Sequence, residues 1–315
     1  MRKNAYLLLL VVTSLLGCVG GNGSQEVDGK PHNFDADGAS LALFSVSPDR
    51  QVRFSQGNLQ YQASTATWRF AERQYDYIGK GNKNISSSYD GWIDLFGWGT
   101  SGWQGSGAKS FHPYHKSTDA EDYYVGGSCA NDLTGSWAKA DWGEYNAISN
   151  GGAKSGMWRT LSKEEWFYML EDREASLIEG KEGKVVARRV RADVCGVKGL
   201  IVFPDKYEHP EGVKLLSGVG AELTFACGEA VPFSGNKINN VEWIKMERAG
   251  CVFLPAAGGR VGSDVSHLGT NGGYWTSSAN KEFSAWCLYF NTCGESVVSS
   301  SRRDGRSVRL VKDCE

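Results

Sequence analysis

Forty glycines and eleven tryptophans in 315 residues restrict what this chain can fold into. Glycine permits tight turns, and tryptophan supplies bulk to fill the space between them. The combination is densest over residues 78–110, where D-G-W-I-D-L-F-G-W-G-T-S-G-W spaces Trp92, Trp98 and Trp103 among glycines. It continues with little regular pattern to about Gly156, carrying Trp137 and Trp142. A long, structured set of loops packed on aromatic rings is expected there.

Two stretches break that texture with helical signals. In Met157–Leu170, Ser162 is a good N-cap, and Glu165 completes a capping box with it. Leu161 and Trp166 are placed for a hydrophobic staple. Trp166, Met169 and Leu170 fall on one face with Phe167 beside it, and the helix is expected to end near Asp172–Ala175. A second helix starts at Asn239 or Asn240, with Glu242 as a weaker echo of the capping box, and stops at Gly250 in a left-handed cap. Short alternating runs predict strands. F-S-V-S and Q-V-R-F form a hairpin about Pro48, and N-L-Q-Y-Q with T-W-R-F-A forms a second, with Trp68 and Phe70 on one face. Later strands are expected in 184–191, 199–204, 252–255, 285–290 and 307–311, with a turn at 291–295 and then a polar serine/arginine stretch.

Residues 1–17 read as a targeting segment. Arg2 and Lys3 precede an apolar run, Ala5–Val12, that is too short to span a bilayer comfortably. Leu15-Leu16-Gly17-Cys18 resembles a bacterial lipobox, which implies cleavage before Cys18 and a diacylglycerol on its sulfur. Val19 rather than Asp follows, and the bacterial sorting pattern then implies the outer membrane. A lipid anchor holds the chain at a membrane while its folded part stays soluble. Residues 18–40, rich in Gly, Asn, Ser and Asp, are expected to be a flexible tether. Residues 41–315 are expected to form a single domain with an N-terminal β-hairpin region.

A net charge of −2 gives no electrostatic support to polyanion binding, so no nucleic-acid partner is expected. The basic runs at Lys181–Arg191 and Arg302–Arg309 read as solvated strand faces with local ion pairs. With Cys18 lipidated, Cys129, Cys195, Cys227, Cys251, Cys287, Cys293 and Cys314 remain, an odd set that cannot all pair. None is spaced C-x-x-C and several sit in apolar runs, so no disulfide framework is expected.

The ordered pieces W-R-T-L-S-K-E-E-W, F-L-P-A-A-G-G-R, G-G-Y-W-T-S-S, A-W-C-L-Y-F and R-x-G-R-S-V-R-L-V resemble the Fibrobacter-type major paralogous domain. More distantly they are similar to the sulfatase-modifying-factor group. F-S-V-S, V-x-F-S-Q-G-N-L-Q-Y and D-L-F-G-W-G-T-S-G look like secreted Bacteroidetes lipoproteins that carry such a domain. The likeness runs from about Leu43 to Lys312. It implies an α+β, C-type-lectin-like fold, with two main helices packed on short antiparallel sheets and long Gly/Trp-rich loops. It also implies a surface-displayed module. The Glu-Pro-Asn, Gln-Pro-Asp and Trp-Asn-Asp motifs of calcium-dependent sugar binding are absent. Cys287 and Cys293 lie near each other, as the sulfatase-modifying enzymes' cysteines do, but in unmatched surroundings.

Candidate chemistry is sparse. His112 and His115 flank Pro113, which argues for a loop and against a shared metal, and Asp119, Glu121 and Asp122 read as a solvated acidic patch. Asp90, Asp94, Glu164 and Glu165 offer no matched acid and nucleophile, and Glu165 is better explained as a cap partner. No nucleotide-binding or nucleophile-elbow motif appears. No catalytic residue, metal or cofactor is therefore expected. Trp92, Trp98 and Trp103 remain as candidate ligand-binding residues, because indole faces stack on sugar rings. The reading is a non-catalytic surface lipoprotein, a binding or adhesion module for a glycan or protein ligand. The alternatives are an enzyme of the sulfatase-modifying type or a carbohydrate hydrolase, and a structural subunit of a surface assembly.

Overall fold

Both N-terminal hairpins form. Phe44–Ser47 pairs antiparallel with Arg50–Phe54 about the Pro48-Asp49 turn, and Leu59–Gln62 pairs with Thr67–Phe70. The computed structural model describes residues 32–181, 183–216 and 232–314. The expected targeting segment, Cys18 and Cys227 lie outside the described residues. Residues 32–40, expected to belong to the tether, pack on the body. The His32 N–H donates to Glu247 at 2.8 Å, Ala39 bridges Ser55, and Ala39 is fully buried.

The first hairpin's outer neighbours come from far along the chain. Leu310–Asp313 pairs with Arg50–Phe54, and Arg159–Thr160 pairs with Leu310–Asp313, completing a four-stranded sheet. Alternation places Phe44, Val46, Val52 and Phe54 in one core with Leu161, Trp166, Met169 and Leu170. Trp92–Ile93 extends the second hairpin. A further four-stranded sheet runs Lys237–Ile238, Arg189–Val194, Val197–Val202, Val252–Pro255, and its one parallel pair is the first two. Gly272–Ala279, Ser284–Phe290 and Glu295–Ser301 form a three-stranded antiparallel sheet. Two small hairpins, Ser176–Gly180 with Gly183–Ala187 and Gly259–Val261 with Asp264–Ser266, complete the strands.

The expected α+β, C-type-lectin-like arrangement is overturned: the described chain is mostly β, in several small sheets, and two main helices packed on sheets do not form. The α-helices are α1 (Trp142–Tyr145), α2 (Lys163–Phe167) and α3 (Asn240–Arg248). Both capping boxes form, at Ser162/Glu165 and Asn239/Glu242. Caps fix where a helix starts, not how far it runs. After Phe167 the ladder opens to one π turn, Tyr168–Asp172, and Arg173 turns extended. Trp166, Met169 and Leu170 are buried as the periodicity implies, while Phe167 is exposed.

Long loops over residues 94–141 are folded onto a tryptophan-rich core that includes Trp68, Trp98, Trp142, Trp158 and Trp275. Few strand partners are present there to satisfy the loop carbonyls, and buried arginines supply donors instead. Arg260 donates to the Leu95, Gly262 and His115 carbonyls at 2.8, 3.0 and 3.1 Å. Arg302 donates to Ser284 O at 3.0 Å and to Cys129 O, with its guanidinium 4.4 Å from the centre of the Trp98 ring. Arg189 and Arg191 share the buried carboxylate of Glu295 at 3.1 and 3.2 Å. Within the basic runs, Arg189, Arg191, Arg302 and Arg309 are thus core residues, not solvated ones. Planar guanidinium, weakly hydrated and with five donors, suits that role where lysine would not.

Candidate functional site

The three tryptophans singled out from the sequence have separate fates. Trp98 is fully buried, its Nε1–H donating to Thr276 O at 2.9 Å, so it offers no face to a ligand. Trp92 is half-buried under the Arg69 guanidinium, 3.9 Å from its ring centre. Trp103 is partly buried, like Trp92, and packs beside Trp137, 34 positions further on, with ring centroids 6.3 Å apart and planes tilted by 50°.

Glycines set both rings. A Cβ at Gly105 would run into the Trp103 indole, and one at Gly126 into the Trp137 indole. Gly126 also holds φ at +63°, which favours glycine. The Gly102 N–H donates to Phe111 O at 2.8 Å, which brings the 111–115 loop beside Trp103. There His112 stacks on Tyr114, with centroids 4.7 Å apart and planes 14° from parallel. The His112 N–H donates to His115 Nδ1 at 3.3 Å. Burial pushes both imidazoles below their ordinary value. Arg260, bonded to His115 O, ties this loop to the body.

The short 3-10 segment Gly135–Ala140 carries Trp137 and also walls a cleft of about 460 Å³. Arg50, Asp141, Glu144, Arg159, Thr160 and Glu164 line it. Asp141 caps α1 and accepts the Gly143 and Thr160 N–H groups at 2.9 and 2.8 Å. Burial raises its carboxyl to about 6 against those bonds. Arg159 holds Glu165 at 2.7 Å and Asp313 at 2.6 Å. Burial opposes its charge, but the two carboxylates outweigh that and hold it above its usual value. Glu144 is half-buried, and burial lifts its carboxyl above the ordinary range.

The other candidates are dispersed. Asp94 is buried between the Ile78 N–H and Asn82 Nδ2, at 2.9 and 2.8 Å, and burial raises it to about 6. Asp90 and Glu164 are exposed. Asp122 accepts the Ser117 hydroxyl at 2.6 Å and pairs with Lys109 at 3.0 Å. Among the described residues no group of three or more His, Cys, Asp or Glu gathers where it could hold a metal. Cys287 is free and fully buried, and burial pushes its thiol to about 11. Cys293 is disulfide-bonded. No helix among the described residues is long and apolar enough to cross a membrane.

Residues 228–311 match a domain of unknown function (DUF8237). The match stops short of Trp103, Trp137 and Glu144. No curated protein and no solved structure matches the chain.

Proposed function

We propose that this protein is a non-catalytic glycan-binding module, held at the outer membrane surface by a lipid on Cys18. One observation carries the reading: Trp103 and Trp137 form a tilted indole pair that is partly, not fully, buried, in a body that fully buries most of its other tryptophans. Aromatic faces of this kind offer a large contact area with two rotatable bonds to fix. Here glycines and loop-to-body hydrogen bonds fix them in advance, which lowers the ordering cost of binding. A protein ligand is the second reading for the same surface.

The enzyme alternatives have less support. A sulfatase-modifying reaction needs two reactive cysteines, whereas Cys287 is buried and Cys293 is disulfide-bonded. For a glycosidase, Asp94 and Glu165 are both engaged in structural hydrogen bonds. The test is a glycan array probed with the full chain in detergent, with and without calcium, beside Trp137→Ala. Binding that the substitution abolishes is the expected result. An array blank for the folded wild-type chain would refute the reading.

A further inference from the structure

We infer that the exposed face of α3 docks on a phosphate-bearing bilayer surface and so orients the body on the membrane to which its lipid holds it. The inference rests on the proposed lipid at Cys18 and not on the glycan reading.

The chain enters the body at α3. The His32 N–H donates to Glu247 at 2.8 Å, and Asn33 lies beside Gly250, just past the helix end. His32 stands 14 positions after Cys18. Even drawn out straight, that length of chain reaches at most roughly 50 Å. A folded body of this size is about as wide. A lipid on Cys18 therefore favours the α3 side of the body facing the bilayer.

What α3 presents there fits a headgroup region. Trp243, Met246 and Glu247 are buried beneath it. Its outer face carries Val241, Ile244, Lys245 and Arg248, the i, i+3, i+4, i+7 set of one helix side. Val241 is 61 % exposed and Ile244 is half-buried. Leu41, 52 % exposed, stands at the same entry, its N–H donating to Asn33 O at 2.9 Å. Apolar groups beside basic ones are the pattern of a helix that lies in the plane of an interface.

The basic groups are not spent on the body's own acids. Lys245 Nζ donates to the Glu211 main-chain oxygen at 3.1 Å, and neither it nor Arg248 makes an ion pair among the described residues. The acids of the helix are engaged elsewhere. Glu242 accepts the Asn239 N–H in the capping box, and Glu247 accepts the His32 N–H and the Gln74 amide. Long stems let Lys245 and Arg248 lay methylenes along the acyl boundary and reach phosphates with their charged heads. The core under α3 is not the one beneath Trp103 and Trp137, so the two surfaces are separate.

The experiment is lysine footprinting of the full lipidated chain, read by mass spectrometry. It compares vesicles of phosphatidylcholine alone with vesicles that also contain phosphatidylglycerol. Lys245 is expected to react about fivefold more slowly, or slower still, on the anionic vesicles. Lys281, exposed in the turn between Gly272–Ala279 and Ser284–Phe290, is expected to react equally on both. Arg248→Gln removes one exposed charge, worth about fivefold in docking, and returns Lys245 towards its rate on phosphatidylcholine. Equal Lys245 rates on the two vesicles, with the chain floating on each, would overturn the docking and leave the lipid anchor standing. Protection that Arg248→Gln does not reduce would do the same. A chain that floats with neither vesicle would remove the anchor and the docking together.

Discussion

Arg159 grips Glu165 through both terminal nitrogens, at 2.7 and 2.8 Å, and the oxygen it holds most closely also accepts the Ser162 N–H at 2.8 Å. One carboxylate thus caps α2, neutralises a guanidinium and, through that guanidinium, fixes the last strand at Asp313. Glu165→Ala takes one of Arg159's two carboxylate partners, leaving Asp313, and opens the capping box at the same time. Removing one partner of a poorly solvated pair costs about 3 kcal/mol, so a several-degree fall in Tm by circular dichroism is expected. A variant as stable as wild type would show that the fork is idle.

The pH profile follows from two opposed sets of carboxyls. Asp94 and Asp141 are raised from 3.8 to about 6 by burial. Their folded-state value lies above the unfolded one, so the stability they contribute is complete below about 4 and is lost as pH climbs towards 6. Each shift is worth about 3 kcal/mol. Asp313 is lowered, first by its hydrogen bond to Arg159, and its contribution is lost only as pH falls below its ordinary 3.8. Urea denaturation is therefore expected to show greatest stability near pH 4, with a decline by pH 7. Asp94→Asn flattens part of that decline.

Gly105→Ala drives a methyl into the Trp103 ring. The indole swings outward while the core beneath keeps its contacts. Acrylamide quenching of tryptophan fluorescence rises, glycan binding falls about tenfold or more, and Tm shifts little, because a surface change away from the core is usually worth less than about 0.5 kcal/mol.

Arg302→Met tests the carbonyl cage. The substitution keeps apolar bulk against Trp98 but takes the Arg302 donor from the Cys129 carbonyl, while Ser284 O keeps the Asn280 N–H at 3.0 Å. Each unsatisfied buried acceptor costs about 1–3 kcal/mol. Limited proteolysis is expected to open the chain near Cys129 before any other described loop.

Thiol titration in native buffer should label exposed Cys195 readily, while Cys251 and Cys287 stay silent until denaturant is added. Burial holds Cys287 near 11, and at neutral pH it has essentially no thiolate. Rapid native labelling of Cys287 would reopen cysteine chemistry.

What the sequence revealed and what it hid divide by distance along the chain. Ser162 with Glu165 and Asn239 with Glu242 lie three residues apart, and both capping boxes were readable. The stops were readable too, at Asp172 and before the left-handed Gly250, but the switch to a π turn after Phe167 was not. The polar stretch after the 291–295 turn reads as irregular, yet Glu295–Ser301 pairs along its whole length with Ser284–Phe290. Of the site, Trp103 was visible by its residue type. Trp137 as its neighbour was not, and neither was the cleft, whose walls come from the first hairpin, α1 and the start of α2. The arginine runs misled because their partners lie far off in the sequence: the Glu295 carboxylate for Arg189 and Arg191, Gln74 for Arg309 and the Cys129 carbonyl for Arg302.

The sheet that seats Arg50–Phe54 against Leu310–Asp313 has a consequence for how the molecule is made. Its second strand is synthesised long before the neighbour on its open side, which lies far along the chain. Until then Val52 and Phe54 have an unpaired edge and an unfinished lid. A ribosome that stalls before residue 310 releases a chain that cannot close, so quality control would meet either a finished body or an open one.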